Sequence, residues 1–389
     1  MQSATLTPYS PQVVKVGTPK EIEQGERRVA MVPDTVKSLV GAGLEVSVEA
    51  GAGAAANLAD GAYQQAGAKV ESRAGSILHE ADAVLKVQAP RESEISVMRK
   101  GAVLISFLQP ATQADTVRSL ASHGITAFSL ELLPRISRAQ SMDALSSQAS
   151  AAGYKAVLMA ADRIGKLFPM MMTAAGTVAP TRVLVMGAGV AGLQAIATAR
   201  RLGAVVSAYD VRPAVKEEVQ SLGATFIELG LESQEGQGGY AREQSEEFLR
   251  KQRELIGEHI AKSDVVITTA AVPGRRAPLL VTGDMVKAMR SGSVIVDLAA
   301  DTGGNVELTQ PGRDVDAGGV VIVGTRNVPS TMPLTTSQLF ARNVTNLLLH
   351  LVKNGALSLD FQDEITKGAC VTHNGEIVNE RVKQMLTAA

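Results

Sequence analysis

The sequence has one cysteine, no tryptophan and no apolar run of the roughly 20 residues that a membrane-crossing helix needs. The single thiol, Cys370, cannot make an intramolecular disulfide or a cysteine-based zinc site, and it points to a reducing compartment. The histidines His79, His123, His259, His350 and His373 stand far apart without metal-ligand spacing, which argues against a zinc enzyme and for no metal site. Aromatic residues make up 3% of the chain, too few for ring platforms that hold sugars or stacked bases. Lys plus Arg number 38 against 39 for Asp plus Glu, so a net charge of −1 offers no bulk field to nucleic acid or an anionic membrane. Residues 1–12 lack the basic start and apolar core of a signal peptide, and a soluble cytoplasmic protein is expected.

What remains is a globular composition, 45% hydrophobic and 20% charged over 389 residues, long enough for two or three domains. Short β-branched runs at 13–17, 45–48, 84–87, 103–107 and 126–129 alternate with helical patterns. A second series follows at 183–186, 205–209, 225–228, 265–268, 294–297 and 320–323. Such alternation implies βαβ units and largely parallel sheets. The expected fold is α/β, with two doubly wound Rossmann-like domains, the second inserted into the first. Residues 1–143 plus 332–389 form the first and 144–331 the second. A helix over 141–159 leads the chain across, and an apolar stripe at helical spacing over 334–352 leads it back. Asn374-Gly375 marks a hairpin turn between strands at 369–372 and 376–378, with Cys370 buried in the first. The Gln-, Glu- and Gly-rich stretch 230–263 reads either as a lid or as an exposed segment without a role.

Gly187-Ala188-Gly189-Val190-Ala191-Gly192 follows a strand and opens a helix, the context in which a G-x-G-x-x-G pattern binds a dinucleotide. The first glycine permits the tight turn, the second lets a pyrophosphate approach the backbone, and the third lets helix and strand pack closely. Free N–H groups and the helix dipole then hold the anion without a lysine. Asp210 stands eighteen positions after Gly192, at the end of the next strand. A carboxylate there accepts from the adenosine 2′-hydroxyl and repels a 2′-phosphate, which favours NAD(H); Arg212 argues the other way, since an arginine there can pair with the phosphate of NADP.

The segment Arg135-Ile136-Ser137-Arg138-Ala139-Gln140-Ser141-Met142-Asp143 is a dense polar loop after the strand at 126–129, either facing the nucleotide or linking the domains. At this point the chain resembles the NAD(H)-binding component, domain I or alpha subunit, of proton-translocating nicotinamide nucleotide transhydrogenase. The matching stretches are 135–148, 168–177, 189–199, 210–212, 238–241 and 327–330, within a resemblance that runs from about Val13 to Val378. It implies that Arg135, Ile136, Ser137, Gln140, Ser141, Met142, Asp143 and Ser146 contact the nicotinamide end, with Gln140, Arg135 and Asp143 serving the transfer itself. It further implies nucleotide contacts for Val190, Ala191, Val211, Gly239, Gln252 and Ala271, and places Tyr240 at the tip of a mobile loop.

A related family, alanine dehydrogenase, shares the start seen in Pro19-Lys20-Glu21 and Arg27-Arg28-Val29-Ala30. Arg28, Lys86 and Asp301 match its substrate and catalytic places, but Gln109 stands where that family has a histidine base. Interconverting an amino acid and a keto acid moves protons, for which a positioned acid or base supplies roughly 10²- to 10⁴-fold. Hydride transfer between two nicotinamides needs only orientation. Lys86 and Asp301 are then structural remnants. The implied activity is an oxidoreductase that passes hydride between NADH and NADP⁺. One complete fingerprint means one nucleotide per chain, so NADP(H) would sit on a partner subunit. A separate transmembrane subunit would couple transfer to protons, and the component would be a homodimer on the inner membrane face with no span of its own. The alternatives are an alanine-type dehydrogenase and a non-enzymatic NAD(H) sensor.

Overall fold

Val-Leu-Ile at 103–105 and Val-Leu-Val at 183–185 have no polar face, and such runs are stable only when a sheet is covered on both sides. Both become fully buried strands in the computed structural model, which describes residues 13–228, 246–271 and 276–388. The chain divides into two compact units, one from the described parts of Met1–Leu145 and Pro333–Ala389, the other from Ser146–Met332.

In the first unit the strands lie in the order Lys69–Glu71, Glu45–Glu49, Lys15–Thr18, Ala83–Leu85, Val103–Ser106, Thr126–Ser129, Cys370–His373, Glu376–Ile377. The first six are parallel and run 3-2-1-4-5-6 in chain order, the doubly wound arrangement. The last two form an antiparallel hairpin on the sheet edge. Its turn residues Asn374 and Gly375 have φ of 50° and 85°, the two left-handed positions that a two-residue hairpin demands. The helix Pro333–His350 buries Phe340, Val344, Leu347 and Leu348 in this unit's core, and the Phe340 ring lies 5.4 Å from that of Phe107. Cys370 is buried in the same core, and burial pushes its thiol up to about 12, so it packs as a small hydrophobe.

The second unit repeats the plan with Thr225–Phe226, Val205–Tyr209, Arg182–Met186, Val265–Thr268, Val294–Asp297, Val321–Val323 and Asp314–Asp316 in spatial order. All neighbours are parallel except the last pair. The expected α/β, doubly wound class is therefore present in both units.

Several expectations shift. The helix expected over 141–159 is Ala144–Arg163, preceded by a 3-10 turn over Ser137–Met142, because Asp143 has a ψ of 87° that breaks the helical path. Within the stretch 230–263, residues 230–245 lie outside the described residues. The lid reading does not extend to its second half: Glu246–Ala261 is a helix that buries Ile256 and Ile260 against the second sheet's core. Among the described residues no helix is long and apolar enough to cross a membrane, and no cluster of metal-ligating side chains occurs.

Candidate functional site

The fingerprint is built where the strand Arg182–Met186 meets the helix Val190–Arg201, at the point where the strand order reverses. Gly187 has a φ of 99°, and a Cβ on it would lie 2.6 Å from Thr269 Oγ1. A Cβ on Gly192 would lie 1.8 Å from the Gly187 carbonyl oxygen. These two glycines are required by the fold. Gly189 is different: its φ is ordinary, and a Cβ there would meet only Arg212 Nη2, at 3.9 Å. The missing side chain at Gly189 leaves open space above a helix N-terminus that no side chain caps, which is the geometry an incoming anion needs. Val190 is exposed there and Ala191 half-buried.

Asp210 closes the strand Val205–Tyr209 and is almost wholly buried. Its Oδ2 accepts from Ala188 N at 2.7 Å, so the acid is tied directly to the fingerprint turn. The Arg212 guanidinium grips both carboxylate oxygens, with Nε to Oδ1 at 2.9 Å and Nη2 to Oδ2 at 2.8 Å, and Arg212 N donates to Oδ1 at 2.9 Å. Val211, between them, is half-buried. The arginine that sequence alone leaves available for a 2′-phosphate is thus engaged by the acid two residues before it. Gln252, on the helix Glu246–Ala261, is buried. Its Oε1 is buried, and no donor among the described residues reaches it. Ala271 is exposed at the end of the loop after the strand Val265–Thr268. Gly239 and Tyr240 lie outside the described residues.

In the first unit, the 3-10 turn presents Arg135, Ser137, Gln140 and Ser141 to solvent. Met142 and Ala139 point the other way, into the core, with Ile136 packed against it. Asp143 and Ser146 are half-buried. The loop is held from the C-terminal segment: Asn343 and Asn346 donate to Ser141 O at 2.9 and 3.1 Å, and Arg138 Nη1 donates to Asp363 Oδ2 at 2.9 Å. Arg138 therefore anchors the loop, while Arg135 is exposed.

The residues that match alanine dehydrogenase are committed to internal partners. Lys86, 1% exposed, donates to Glu94 Oε1 at 2.8 Å and Glu21 Oε2 at 3.3 Å, and these two carboxylates hold it protonated against the cost of burial. Burial in turn pushes the Glu21 carboxyl up. Arg28 forms a bidentate pair with Glu26, Nε to Oε1 at 2.8 Å and Nη2 to Oε2 at 2.6 Å. Asp301 accepts from Arg326 Nε and Asn327 N, each at 2.8 Å. Gln109 is exposed, with φ of 47°, and its N–H donates to Glu131 at 2.9 Å.

Sequence reasoning passed over Gly153 and Thr269. A Cβ on Gly153 would fall 2.0 Å from Ala191 O, so this glycine lets the long helix Ala144–Arg163 press against the start of the fingerprint helix. Thr269 Oγ1 donates to Gly187 O at 3.0 Å. Its signal was its place, directly after the strand Val265–Thr268 beside the fingerprint strand.

Comparison with known proteins is consistent with this geometry. Residues 17–152 match the alanine dehydrogenase/PNT N-terminal domain and 156–380 the C-terminal domain. Over 376 residues the chain is 50% identical to the first part of the NAD(P) transhydrogenase alpha subunit of Rhodospirillum rubrum, covering 94% of this chain and 98% of that one. The crystal structure of transhydrogenase from Sinorhizobium meliloti superposes with a TM-score of 0.83 at 46% identity, over 94% of this chain and 99% of that one. An L-alanine dehydrogenase superposes almost as well, with a TM-score of 0.82 over 96% and 99% of the two chains, but at 29% identity. Fold alone does not separate the two families; identity does. The chain belongs to the alanine dehydrogenase/PNT family and, within it, to the NAD(P) transhydrogenase alpha subunits.

Proposed function

We propose that this chain binds NAD(H) on its second unit and passes hydride between it and NADP(H) held on a partner subunit. The observation that carries the reading is the pairing of an open Gly189 with an Asp210 whose arginine neighbour is engaged. The backbone N–H groups at Gly189, Val190, Ala191 and Gly192 hold the pyrophosphate, and Asp210 accepts from the adenosine 2′-hydroxyl. A 2′-phosphate would meet a carboxylate, and the arginine that could otherwise pair with it is already bound to that carboxylate. The Oε1 of Gln252, which no donor among the described residues reaches, supplies an acceptor, and Val211, Arg212 and Ala271 border the same ligand. When bound, the nicotinamide supplies the hydride. Arg135, Ser137, Gln140, Ser141, Asp143 and Ser146, with the backbone of Ile136 and Met142, orient it, and none of them needs to move a proton.

The Rhodospirillum rubrum relative is named as one part of an alpha subunit, which supports an enzyme split over several polypeptides. We assign this chain an NADP(H)-binding partner and a transmembrane subunit that couples transfer to proton translocation, and we place it in the cytoplasm at the inner membrane face through those partners. A homodimer is supported by exposed apolar side chains on the hairpin Met171–Thr173 and Gly176–Val178 and at its root.

Calorimetry should show NADH binding with at least about a hundredfold preference over NADPH, the order expected when a buried charge meets a like charge. The purified chain should not oxidise alanine with NAD⁺, and should transfer hydride once mixed with a transhydrogenase NADP(H)-binding component. Equal nucleotide affinities, or alanine turnover by the chain alone, would overturn the reading.

A further inference from the structure

Asp297 ends the strand Val294–Asp297 with its side chain buried and no cation beside it among the described residues. Its carboxylate instead accepts five hydrogen bonds. Oδ1 takes Thr268 Oγ1 at 2.9 Å and Ala299 N at 3.0 Å. Oδ2 takes Asn305 N at 2.9 Å, Val306 N at 3.2 Å and Thr309 Oγ1 at 2.7 Å. Asn305, fully buried, uses every polar atom it has. Its Oδ1 accepts from Ala270 N at 3.1 Å, and its Nδ2 donates to Ala270 O and to Pro278 O, both at 2.8 Å. Its own carbonyl accepts from Leu280 N and Val281 N at 2.8 and 3.0 Å. Two residues thus bind the chain on either side of 271–276 to the end of a neighbouring strand. Immediately before Ala270, Thr269 bonds the first fingerprint glycine.

We infer that Asn305, held by Asp297, is a positioning residue for the nucleotide: it fixes the backbone of Ala270 and Ala271 against the fingerprint turn without touching the ligand. The inference rests on the NAD(H) reading above. Only a side chain with an acceptor and two donor hydrogens satisfies Ala270 N, Ala270 O and Pro278 O together, and among side chains of this length only Asn has them; a protonated Asp supplies one O–H, enough for one of the two carbonyls. Carboxylate in place of the amide would set an oxygen against two carbonyl oxygens and release the loop.

The test is Asn305→Asp, read by NADH titration across pH. The new carboxyl would be buried beside Asp297, and both conditions raise its pKa. Glu307 is engaged at Gly283 N, and Arg276 lies along Gly303. At about pH 8.5 the NADH Kd should rise about tenfold or more, and at about pH 6, where the acid regains one of the two donors, part of that loss should be recovered. A role in folding alone would lower the melting temperature and leave the Kd flat across pH. A parent-like Kd at both pH values, with the parent itself binding NADH, overturns the inference and leaves the NAD(H) reading standing. Failure of the parent to bind NADH removes both. If Asn305→Asp does not fold, Thr309→Val, which deletes only the bond to Asp297 Oδ2, decides: a Kd raised about threefold supports the inference, and an unchanged one overturns it.

Discussion

Glu26 is a carboxylate with no exposed side-chain surface that nevertheless keeps its charge. Burial would raise its pKa, but the Arg28 fork, the Gln88 amide at 2.7 Å and the Arg28 N–H outweigh burial and hold it at about 2 against an ordinary 4.5. A depressed folded-state pKa contributes stability that is complete above about 4.5 and is lost as pH falls toward about 2. Glu26→Gln should cost roughly 2–3 kcal/mol at neutral pH, because it replaces the charge-assisted fork to Arg28 with weaker neutral contacts. Urea unfolding of both proteins at neutral and acid pH checks this: the gap should narrow below about pH 4.5. A gap that stays constant into the acid range would mean that the charge is not its source. Residues of this kind were half legible. Arg28 and Lys86 could be matched to a related family in sequence, but the counter-ions of Lys86 are Glu94 and Glu21, whose pairing exists only once the strand ends meet. Arg212 was ambiguous for a similar reason: a sequence gives its distance from Asp210 but not that its guanidinium folds back onto it.

At the scale of elements, the three fingerprint glycines separate into two kinds. Gly192→Ala places a methyl against the Gly187 carbonyl and should cost more than about 2 kcal/mol, lowering the melting temperature with or without nucleotide. Gly189→Ala meets open space at an ordinary φ, so it should stay within about 0.5 kcal/mol of the parent while losing NADH affinity about tenfold or more. Thermal melts paired with NADH titration distinguish the two, and a Gly189→Ala protein that binds normally would remove the pyrophosphate from this turn. Strands buried on both faces were the most legible elements, since a continuous β-branched run has few other stable fates; 126–129, 205–209, 265–268 and 294–297 fall where the pattern put them. The strands missed are Lys69–Glu71, Asp314–Asp316, the hairpin Met171–Thr173 with Gly176–Val178, and the pair Val352–Lys353 with Ala356–Leu357. All are short and lie at a sheet edge or in a separate two-stranded ribbon, where backbone pairing alone makes the strand and alternation has too few residues to show.

At the scale of the whole molecule, a near-neutral net charge leaves association to apolar surface. Leu167, Met170, Met171, Met172 and Val178 are all exposed, with Met172 at 80%, beside a groove lined by Phe168, Pro169 and Leu202. Thioether side chains of this kind adapt to a partner surface, and a patch left open on a monomer is an aggregation liability. If this ribbon joins two copies, Met172→Asp should convert a dimer to a monomer in sedimentation velocity at about 10 μM, well above the Kd of a standard interface. A variant that stays dimeric would place the interface elsewhere.

The strand Cys370–His373 completes the first sheet by pairing with Thr126–Ser129, and Phe340 completes the core around Phe107. On the ribosome these partners are made only after Ser146–Met332. The strands up to Thr126–Ser129 emerge first, and all of Ser146–Met332 follows before their partners are translated. At ~5–20 residues per second that interval is roughly 10–40 s. The second unit, whose chain is continuous, has its whole sequence available sooner. Until those partners are made, the first unit keeps an unpaired sheet edge, the kind of surface through which incomplete chains associate.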